Sequence, residues 1–210
     1  MSRIFYVIIL LLMENETIEK PIDSNPVGGT QSTKQSFWEL VRFAIMALVI
    51  VIPIRVFVVE PFVVSGSSMV PTFENANYLI VDKISYKLSD PQRDDVVIFR
   101  YPNDTTKFFI KRIIGLPNET LDIKGSVVTI TNKENPKGLK LDEPFVKNTS
   151  NNTTHFELKD NEYFVMGDNR SGSSDSRYWG AVKRELLIGR AFLRLLPINK
   201  MSILPGNYKQ

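Results

Sequence analysis

The sequence contains no cysteine. This absence excludes a cysteine nucleophile, a thiolate metal site and a disulfide framework, and cysteine usage gives no information on the redox compartment. Histidine is almost as scarce, because His155 is the only one among the 210 residues. A Ser-His-Asp triad or a multi-histidine metal site would depend on this one residue, which we expect in a solvated loop. Hydrolytic chemistry in this chain must therefore use another base.

An excess of charge of one sign is also lacking. The 26 Lys and Arg residues nearly balance the 23 Asp and Glu residues, which leaves a net charge of +3. Basic residues are scattered along the chain rather than gathered on one stripe, so we expect no nucleic acid partner. The 12 prolines and 11 glycines favour a turn-rich, strand-rich body over a helical bundle.

Residues 1–36 combine a short apolar run with a polar linker. The apolar run, at residues 4–13, is too short to span a bilayer, which requires about 20 apolar residues. It suits a signal-like segment, a membrane-dipping start or sequence upstream of an alternative start at Met13. Residues 14–36 are rich in Asn, Thr, Ser, Gly and Gln and predict a flexible linker.

Residues 37–59 are the main candidate for a transmembrane helix. No charged residue occurs from 43 to 54, and Arg42 and Arg55 stand towards the two ends, where long side chains reach the lipid headgroups. A buried helix of a soluble domain is the alternative. Basic residues before the run favour a cytoplasmic N-terminus under the positive-inside rule, which places residues 60–210 on the outer face of the membrane.

Residues 60–210 predict a β-rich domain. Short apolar runs alternate with proline, glycine and asparagine turn signals, and no long amphipathic helix interrupts them. This pattern indicates a mainly β body of packed antiparallel sheets or a partly open barrel. Residues 132–154 form a polar insertion, either a hairpin or a loop. The strands predicted in this way are residues 78–81, 96–99, 108–114, 127–130, 163–166 and 188–195.

Two segments of this domain carry a candidate nucleophile and base. Residues 65–72 place Ser68 in a run of serine and glycine that by itself indicates only a flexible loop. Residues 108–114 predict a strand in which Lys111 lies between apolar neighbours on one face and Arg112 lies on the other. Apolar surroundings lower a lysine pKa from about 10.4, so that the amine can take a proton from a serine hydroxyl. The pattern alone fits a structural lysine better.

A third segment, at residues 166–180, follows a predicted strand and is rich in Gly, Asn, Ser, Asp and Arg. Its carboxylates, Asp168 and Asp175, can form charged hydrogen bonds with Arg170 and Arg177. These carboxylates are too few and too mixed with arginine for a calcium site, so we expect no metal and no cofactor. By itself the segment indicates a surface turn.

Together, the three segments resemble the bacterial type I signal peptidases, which are Ser-Lys dyad serine proteases. The resemblance extends from residue 55 to residue 197. The lysine box is matched at residues 111–117, and the last box is matched at residues 167–170 and 173–180. Three separate matches in the family's order favour a functional explanation over a structural one. The nucleophile box is matched by Ser68, Met69, Pro71 and Thr72.

The resemblance implies a role for each matching residue. Ser68 is the implied nucleophile, and Lys111 is the implied general base, which later returns the proton to the leaving amine. Ser173 holds the position whose hydroxyl orients the lysine amine. Gly66 departs from those members that have an oxyanion-donating serine there, which leaves the main-chain N–H of Ser68 as the implied donor. The implied supporting residues are Ser173, Asp168, Asp175, Arg177 and Met69.

The resemblance also implies a signal-peptidase-like, LexA-like β fold, anchored in the bacterial cytoplasmic membrane by a single N-terminal transmembrane helix. The implied reaction removes signal peptides from secretory precursor proteins at sites with small residues, of the Ala-x-Ala type. Two alternatives stay open at this point. One is a Ser-Lys protease of the same broad fold that processes itself or a partner, and the other is a non-catalytic, membrane-tethered β-domain.

Overall fold

The computed structural model describes residues 33–53, 58–148, 150–151 and 153–208. Contacts within the chain define two compact units, residues 1–45 and residues 46–210. The predicted apolar run at residues 4–13 and most of the predicted linker lie outside the described residues.

Helix α1 (Thr33–Pro53) is 21 residues long. The sequence predicts a helix over residues 37–59, whereas α1 begins before this range and ends inside it. Val59 instead opens strand β1 (Val59–Val63), where it pairs with Asp82. The difference arises because an apolar, β-branched run suits a helix end and a strand equally well. No helix in the described part of the chain is both long and apolar enough to cross a membrane.

The described residues from 58 to 208 are mainly β, which confirms the predicted fold class. Only the short helices α2 (Ser85–Leu88) and α3 (Ser176–Trp179) and two 3-10 turns, Arg184–Leu186 and Ile198–Lys200, interrupt the strands. After β1, the strands are β2 (Tyr78–Asp82), β3 (Val96–Tyr101), β4 (Asp104–Gly115), β5 (Thr120–Lys124), β6 (Val127–Thr131), β7 (Leu139–Lys140), β8 (Thr153–Glu157), β9 (Glu162–Met166), β10 (Val182–Lys183), β11 (Leu187–Leu196) and β12 (Ser202–Ile203).

Eight strands form the larger sheet, in which every strand pairing is antiparallel. The strand order is β1-β2-β11-β3-β4-β9-β10, and β12 pairs with β11. Strand β4 has 12 residues and lies between β3 and β9. Successive side chains of a strand point to opposite faces, so Lys111 and Arg112 of β4 face different sides of this sheet.

The smaller sheet has four antiparallel strands in the order β7-β6-β5-β8. The predicted polar insertion at residues 132–154 contributes β7 and the start of β8 to it. His155 lies on β8 rather than in the predicted loop. It is exposed, and its Nδ1 lies 2.8 Å from Asp122 Oδ1 on β5. The buried apolar face of this sheet is formed by Leu121, Ile123, Val128 and Ile130.

The loop between β1 and β2, residues 64–77, is held by its own apolar side chains. Met69 and Phe73 are almost fully buried and pack in one cluster with Val64 and with Leu79 of β2. Burying such side chains removes them from water and fixes the main chain that carries them. This β1–β2 loop is therefore an ordered support for the polar residues between its buried anchors.

Candidate active site

The β1–β2 loop carries Ser68, which is partly exposed. Main-chain hydrogen bonds close the base of the loop, from Val64 N to Asn77 O at 2.9 Å and from Ala76 N to Val64 O at 2.8 Å. Gly66 has a φ of +98°, a conformation that glycine adopts without strain. The loop can therefore turn sharply two residues before the serine.

Lys111 reaches from β4 to the β1–β2 loop. Its Nζ donates a hydrogen bond to Ser68 Oγ at 2.8 Å and another to the Ile110 carbonyl at 3.0 Å. Both partners are neutral, and the residue is only 4% exposed. An amine in such a place has lost most of its water without gaining a carboxylate in exchange.

Burial lowers the pKa of Lys111 from 10.5 to about 8, because the charged ammonium is poorly solvated there. The more distant carboxylates of Asp175 and Asp168 oppose this shift and keep the pKa from falling further. A lysine with such a pKa is partly neutral near physiological pH and can accept a proton. The serine hydroxyl is the group that faces it.

Arg112, the next residue of β4, is fully buried on the other face of the strand. Its Nε and Nη2 donate to the two carboxylate oxygens of Asp168 at 2.8 and 2.6 Å. Its Nη1 donates to the carbonyl oxygens of Asp94 and Gly206, and the guanidinium carbon lies 3.9 Å from the centre of the Phe145 ring. The guanidinium is therefore fully engaged in structural contacts and faces away from the cleft.

Thr72 connects this ion pair with the β1–β2 loop. Its hydroxyl donates to Asp168 Oδ2 at 2.5 Å, and its carbonyl accepts from Arg194 Nη1 at 2.8 Å. The sequence assigned Thr72 no role of its own, because its partner is 96 positions away. The buried ion pair thus holds the loop close to Ser68.

Asp175 braces the turn between β9 and α3, residues 167–175. Its carboxylate accepts from Gly167 N at 3.0 Å and, as the N-cap of α3, from Arg177 N at 3.3 Å. The Arg177 Nε and Nη2 also donate to its two oxygens, at 2.7 and 2.8 Å. Asp175 is therefore joined to Arg177, whereas Asp168 is joined to an arginine of β4.

Arg170 reaches a residue of the predicted polar insertion. Its Nη1 and Nη2 donate to the carboxylate of Glu143 at 2.9 and 2.6 Å, and both side chains are buried. Its Nε donates to the Gly167 carbonyl at 3.1 Å. No sequence pattern points to Glu143, since a single acidic residue in a polar run is ordinary. The insertion is nevertheless bound to the turn before α3.

Two glycines permit close approaches that a side chain would block. An added Cβ at Gly167 would collide with the Ser68 carbonyl and would lie 2.5 Å from Ser173 Cβ. At Gly206, where φ is +79°, an added Cβ would lie 2.5 Å from Thr72 Cγ2. Both contacts are shorter than neighbouring carbon atoms tolerate. The main chain therefore packs directly against the β1–β2 loop at these two points.

The remaining residues predicted for the site have different surroundings. Met69, next to Ser68, is buried beneath the loop at 1% exposure. Ser173 is also buried, but its Oγ has no hydrogen-bond partner among the described residues. The hydrogen bond from Ser173 to Lys111 that the resemblance implies is therefore not among the contacts of this structure.

A cleft of about 530 Å³ opens beside Ser68 and Lys111. It combines a serine hydroxyl, a buried amine and a largely apolar wall, which is an arrangement suited to acyl transfer through a covalent intermediate. In the described ranges, no three His, Asp or Glu side chains are grouped to hold a metal ion. The apolar side chains along the cleft are Phe62, Val63, Val64, Leu79, Ile98, Phe108, Phe109 and Ile110.

Comparison with known proteins relates the chain to one family. The family model described as signal peptidase, peptidase S26, matches residues 37–196. A probable signal peptidase I-2 of Synechocystis sp. is 38% identical over 83% of this chain and 80% of its own length. A signal peptidase I of Leptolyngbya laminosa is 33% identical over 88% of this chain and 93% of its own length.

Among solved structures, a signal peptidase I of Enterococcus faecalis is 30% identical and is similar with a TM-score of 0.41. The match covers 49% of this chain and 97% of the other chain. The family model and the two relatives each span most of the sequence, and the range matched by the family model includes the three segments that carry the candidate site. The chain belongs to the signal peptidase family, peptidase S26.

Proposed function

We propose that Ser68 and Lys111 form the catalytic dyad with which this signal peptidase removes signal peptides from exported precursors. One observation carries the assignment: the buried Lys111 Nζ lies 2.8 Å from Ser68 Oγ. With no cysteine and with the only histidine exposed on the smaller sheet, Lys111 is the base that faces a serine nucleophile.

The dyad performs two linked acyl transfers. Neutral Lys111 takes the proton of Ser68 as Oγ forms a bond to the scissile carbonyl carbon, which places negative charge on the carbonyl oxygen. The ammonium then donates this proton to the leaving amine as the C–N bond breaks. Water, deprotonated by the same lysine, attacks the ester carbon, and Ser68 leaves with the proton held by Lys111.

The supporting residues hold the segments that carry Ser68 and Lys111 in place. Asp168 supports the β1–β2 loop through Thr72, and Asp175 with Arg177 supports the turn that contains Ser173. The Ser173 hydroxyl, buried and without a partner among the described residues, is the group we assign to the lysine ammonium formed during the reaction. Met69 anchors the loop beside the nucleophile.

The oxyanion donor we propose is the main-chain N–H of Ser68. In the described part of the chain this N–H donates to no acceptor. Gly66 has no side chain to add a second donor, and nothing lies within 4 Å of a Cβ placed there. A single lost oxyanion donor can reduce the rate by roughly 10²–10³, so the quality of the one main-chain donor matters here.

The proposed substrate is a precursor with small residues before the scissile bond, of the Ala-x-Ala type. The apolar cleft wall supports recognition of such residues, and among the described strands β1 ends the larger sheet, where an extended segment can pair with it. Val63 of β1 and Phe108 of β4 are exposed near the cleft. An extended precursor segment added to this edge presents its carbonyl to Ser68.

We further propose that the apolar segment at residues 37–59, which contains most of α1, anchors the protein in the bacterial cytoplasmic membrane by a single pass, with the catalytic domain on the outer face. The large apolar side chains described on α1 support a lipid environment, because leaving them in water is unfavourable. More than half of the surface is exposed in Phe37, Trp38, Leu40, Phe43, Ile45, Met46, Leu48 and Val49.

Cleavage of a precursor by the purified protein in detergent tests the dyad. We expect Ser68→Ala and Lys111→Ala each to abolish cleavage of an Ala-x-Ala precursor while thermal unfolding stays near that of the wild type. Lys124→Ala, an exposed lysine of the smaller sheet, is the matched control and should keep full activity. Near-normal turnover in either dyad variant would show that the assignment is wrong.

A reporter fused after Pro61 tests the proposed topology. A reporter that is active only outside the cytoplasm should be active in this fusion, and one that is active only in the cytoplasm should be silent. The reverse result would place the catalytic domain on the cytoplasmic side.

A further inference from the structure

The peptide unit that joins Ser67 to Ser68 is held from its carbonyl side. Asn169 Nδ2 donates to the Ser67 carbonyl at 3.0 Å, and Val70 N donates to the same oxygen at 3.2 Å. Asn169 N also donates to the Ser68 carbonyl at 3.0 Å. One asparagine therefore contacts the main chain on both sides of the proposed nucleophile.

These contacts act on the proposed oxyanion donor. The Ser67–Ser68 peptide bond is trans, so its carbonyl oxygen and its N–H point in opposite directions. Fixing the Ser67 carbonyl against Asn169 fixes the direction of the Ser68 N–H. Hydrogen bonds accepted by the carbonyl also polarise the peptide unit and make its N–H a stronger donor.

The orientation of the Asn169 amide follows from its neighbours. Gly172 N donates to Asn169 Oδ1 at 3.2 Å, and Asn148 Nδ2 donates to the same oxygen. The Ser67 carbonyl can only accept, so Nδ2 must face it and Oδ1 must face the Gly172 N–H, which Oδ1 shares with the Asn169 carbonyl at 3.1 Å. Asn148 thus helps to keep the donor side of Asn169 on the peptide that precedes Ser68.

Asn148 lies between the three segments that carry the candidate site, in the polar stretch before β8. It is brought to the site by a parallel main-chain bridge with Asn169. The buried ion pair between Glu143 and Arg170 anchors the same stretch five positions earlier. The polar stretch before β8 is therefore connected to the nucleophile through two side-chain amides, those of Asn148 and Asn169.

We propose that Asn148 and Asn169 are positioning residues for the oxyanion donor: Asn148 sets the amide orientation of Asn169, and Asn169 directs and polarises the peptide whose N–H is contributed by Ser68. The inference rests on the proposed function, in which that N–H stabilises the negative charge on the scissile carbonyl oxygen. Because this charge develops only on the way to the tetrahedral intermediate, the pair acts on kcat rather than on substrate binding.

Two substitutions of Asn148 distinguish this positioning role from a purely structural one, in which the hydrogen bond between Asn148 and Asn169 only holds two loops together. Asn148→Ala removes a donor, and Gly172 N still holds Asn169 Oδ1. Asn148→Asp places an acceptor there, which draws Asn169 Nδ2 towards the carboxylate and away from the Ser67 carbonyl. We expect kcat to fall about 3-fold in Asn148→Ala and about 10-fold or more in Asn148→Asp, with KM within about 2-fold of wild type in both.

The measurements use the full-length protein in detergent with a synthetic Ala-x-Ala peptide. Asn151→Ala, an exposed asparagine of the same stretch, is the control and should retain wild-type kcat. The midpoint of the acidic limb of the rate profile should be the same in all variants, since Lys111 is untouched. Thermal unfolding, measured in parallel, corrects kcat for any unfolded fraction.

A peptide aldehyde provides a second readout that does not depend on turnover. Its carbonyl carbon bonds to Ser68 Oγ, its oxygen takes the negative charge, and the serine proton passes to Lys111. Its affinity should fall in the same order as kcat, whereas the affinity of the matched peptide alcohol, which forms no adduct, should not change.

A purely structural role predicts that Asn148→Ala loses more kcat than Asn148→Asp, because an aspartate still accepts a hydrogen bond from Asn169 and holds the two loops together. If Asn148→Asp loses no more kcat than Asn148→Ala, or if the alcohol and the aldehyde weaken equally, the inference is wrong. Such an outcome leaves the dyad intact, since the dyad is tested by the loss of cleavage in Ser68→Ala and Lys111→Ala.

Discussion

The two faces of β4 provide different hydrogen-bond partners for two neighbouring cations. Lys111 and Arg112 are adjacent and both are almost completely buried, at 4% and 0% exposure. Among the described residues, Lys111 has a hydroxyl and a carbonyl as its hydrogen-bond partners, and its pKa is lowered to about 8. Arg112 has a bidentate carboxylate and two carbonyl acceptors.

The difference shows that burial by itself does not make a cation reactive. Removal from water raises the free energy of both charges, but only Arg112 recovers it through a carboxylate in direct contact. Lys111 recovers the loss by releasing its proton, which is the property that a general base requires. Alternation along one strand thus supplies a base to the cleft and a fixed structural charge to the interior.

Replacing Lys111, the cation on the cleft face of β4, with another type of cation should have the largest effect on activity. Lys111→Arg keeps the positive charge and much of the length, but a guanidinium does not lose its proton in proteins. We expect kcat/KM for precursor cleavage to fall about 10⁴-fold or more. Turnover within tenfold of wild type would show that the base is another group.

Removing the charge should lower the free energy of unfolding on one face of β4 and not on the other. Arg112→Met leaves the Asp168 carboxylate buried without its partner, so we expect the free energy of unfolding to fall by about 3–5 kcal/mol at pH 7. Lys111→Met removes an ammonium that lacks a carboxylate and should not destabilise the protein. Denaturant unfolding of both variants measures the comparison, and equal losses would contradict it.

The pH dependence of stability should distinguish the two faces further. The pKa of Lys111 is about 8 in the folded protein and 10.5 where the side chain is not buried. Between pH 8 and pH 10.5 the unfolded chain therefore binds more protons than the folded protein. The free energy of unfolding should therefore rise with pH across this window, by about 3 kcal/mol from this group. In Lys111→Met this rise should disappear, and its persistence would assign it to another residue.

Removing the hydrogen bond that connects Asp168 with the β1–β2 loop should have the smallest effect on stability and activity. Thr72→Val removes the hydrogen bond to Asp168 but leaves the ion pair with Arg112 in place. We expect a loss of about 1–2 kcal/mol in the free energy of unfolding and a decrease in kcat, because the β1–β2 loop is less firmly held. A Thr72→Ser variant keeps the hydroxyl and serves as the control, and a similar loss in both would argue for packing instead.

The sequence predicts the strands that are buried on both sides better than those at the edges. Strands β3 and β9 are continuous apolar runs and were predicted from them. Strand β5 shows the alternation that is typical of a strand, but with only two apolar residues among five it was too short to stand out from the turns around it. Strand β1 was missed because its apolar residues continue the run of α1. Edge strands of two residues, such as β7 and β10, leave no pattern to detect.

Within the site, the sequence predicts residue types and faces but not partners. Alternation places Lys111 and Arg112 on opposite sides of β4, and this arrangement is confirmed. The carboxylate that binds Arg112 lies 56 positions away, and the serine that faces Lys111 lies 43 positions away. Such contacts depend on how the strands of a sheet are ordered, which local spacing does not contain. For the same reason the role of Glu143 was not predicted.

The acceptors of Arg112 also set an order in time for the growing polypeptide. One N–H of its guanidinium is satisfied by the carbonyl of Gly206, which is synthesised 94 residues later. While the ribosome is still extending the chain through β11, that N–H lacks its final acceptor, and a buried donor left in this way costs about 1–3 kcal/mol. The support beneath the nucleophile therefore reaches its full strength only after residue 206 has joined the folded domain.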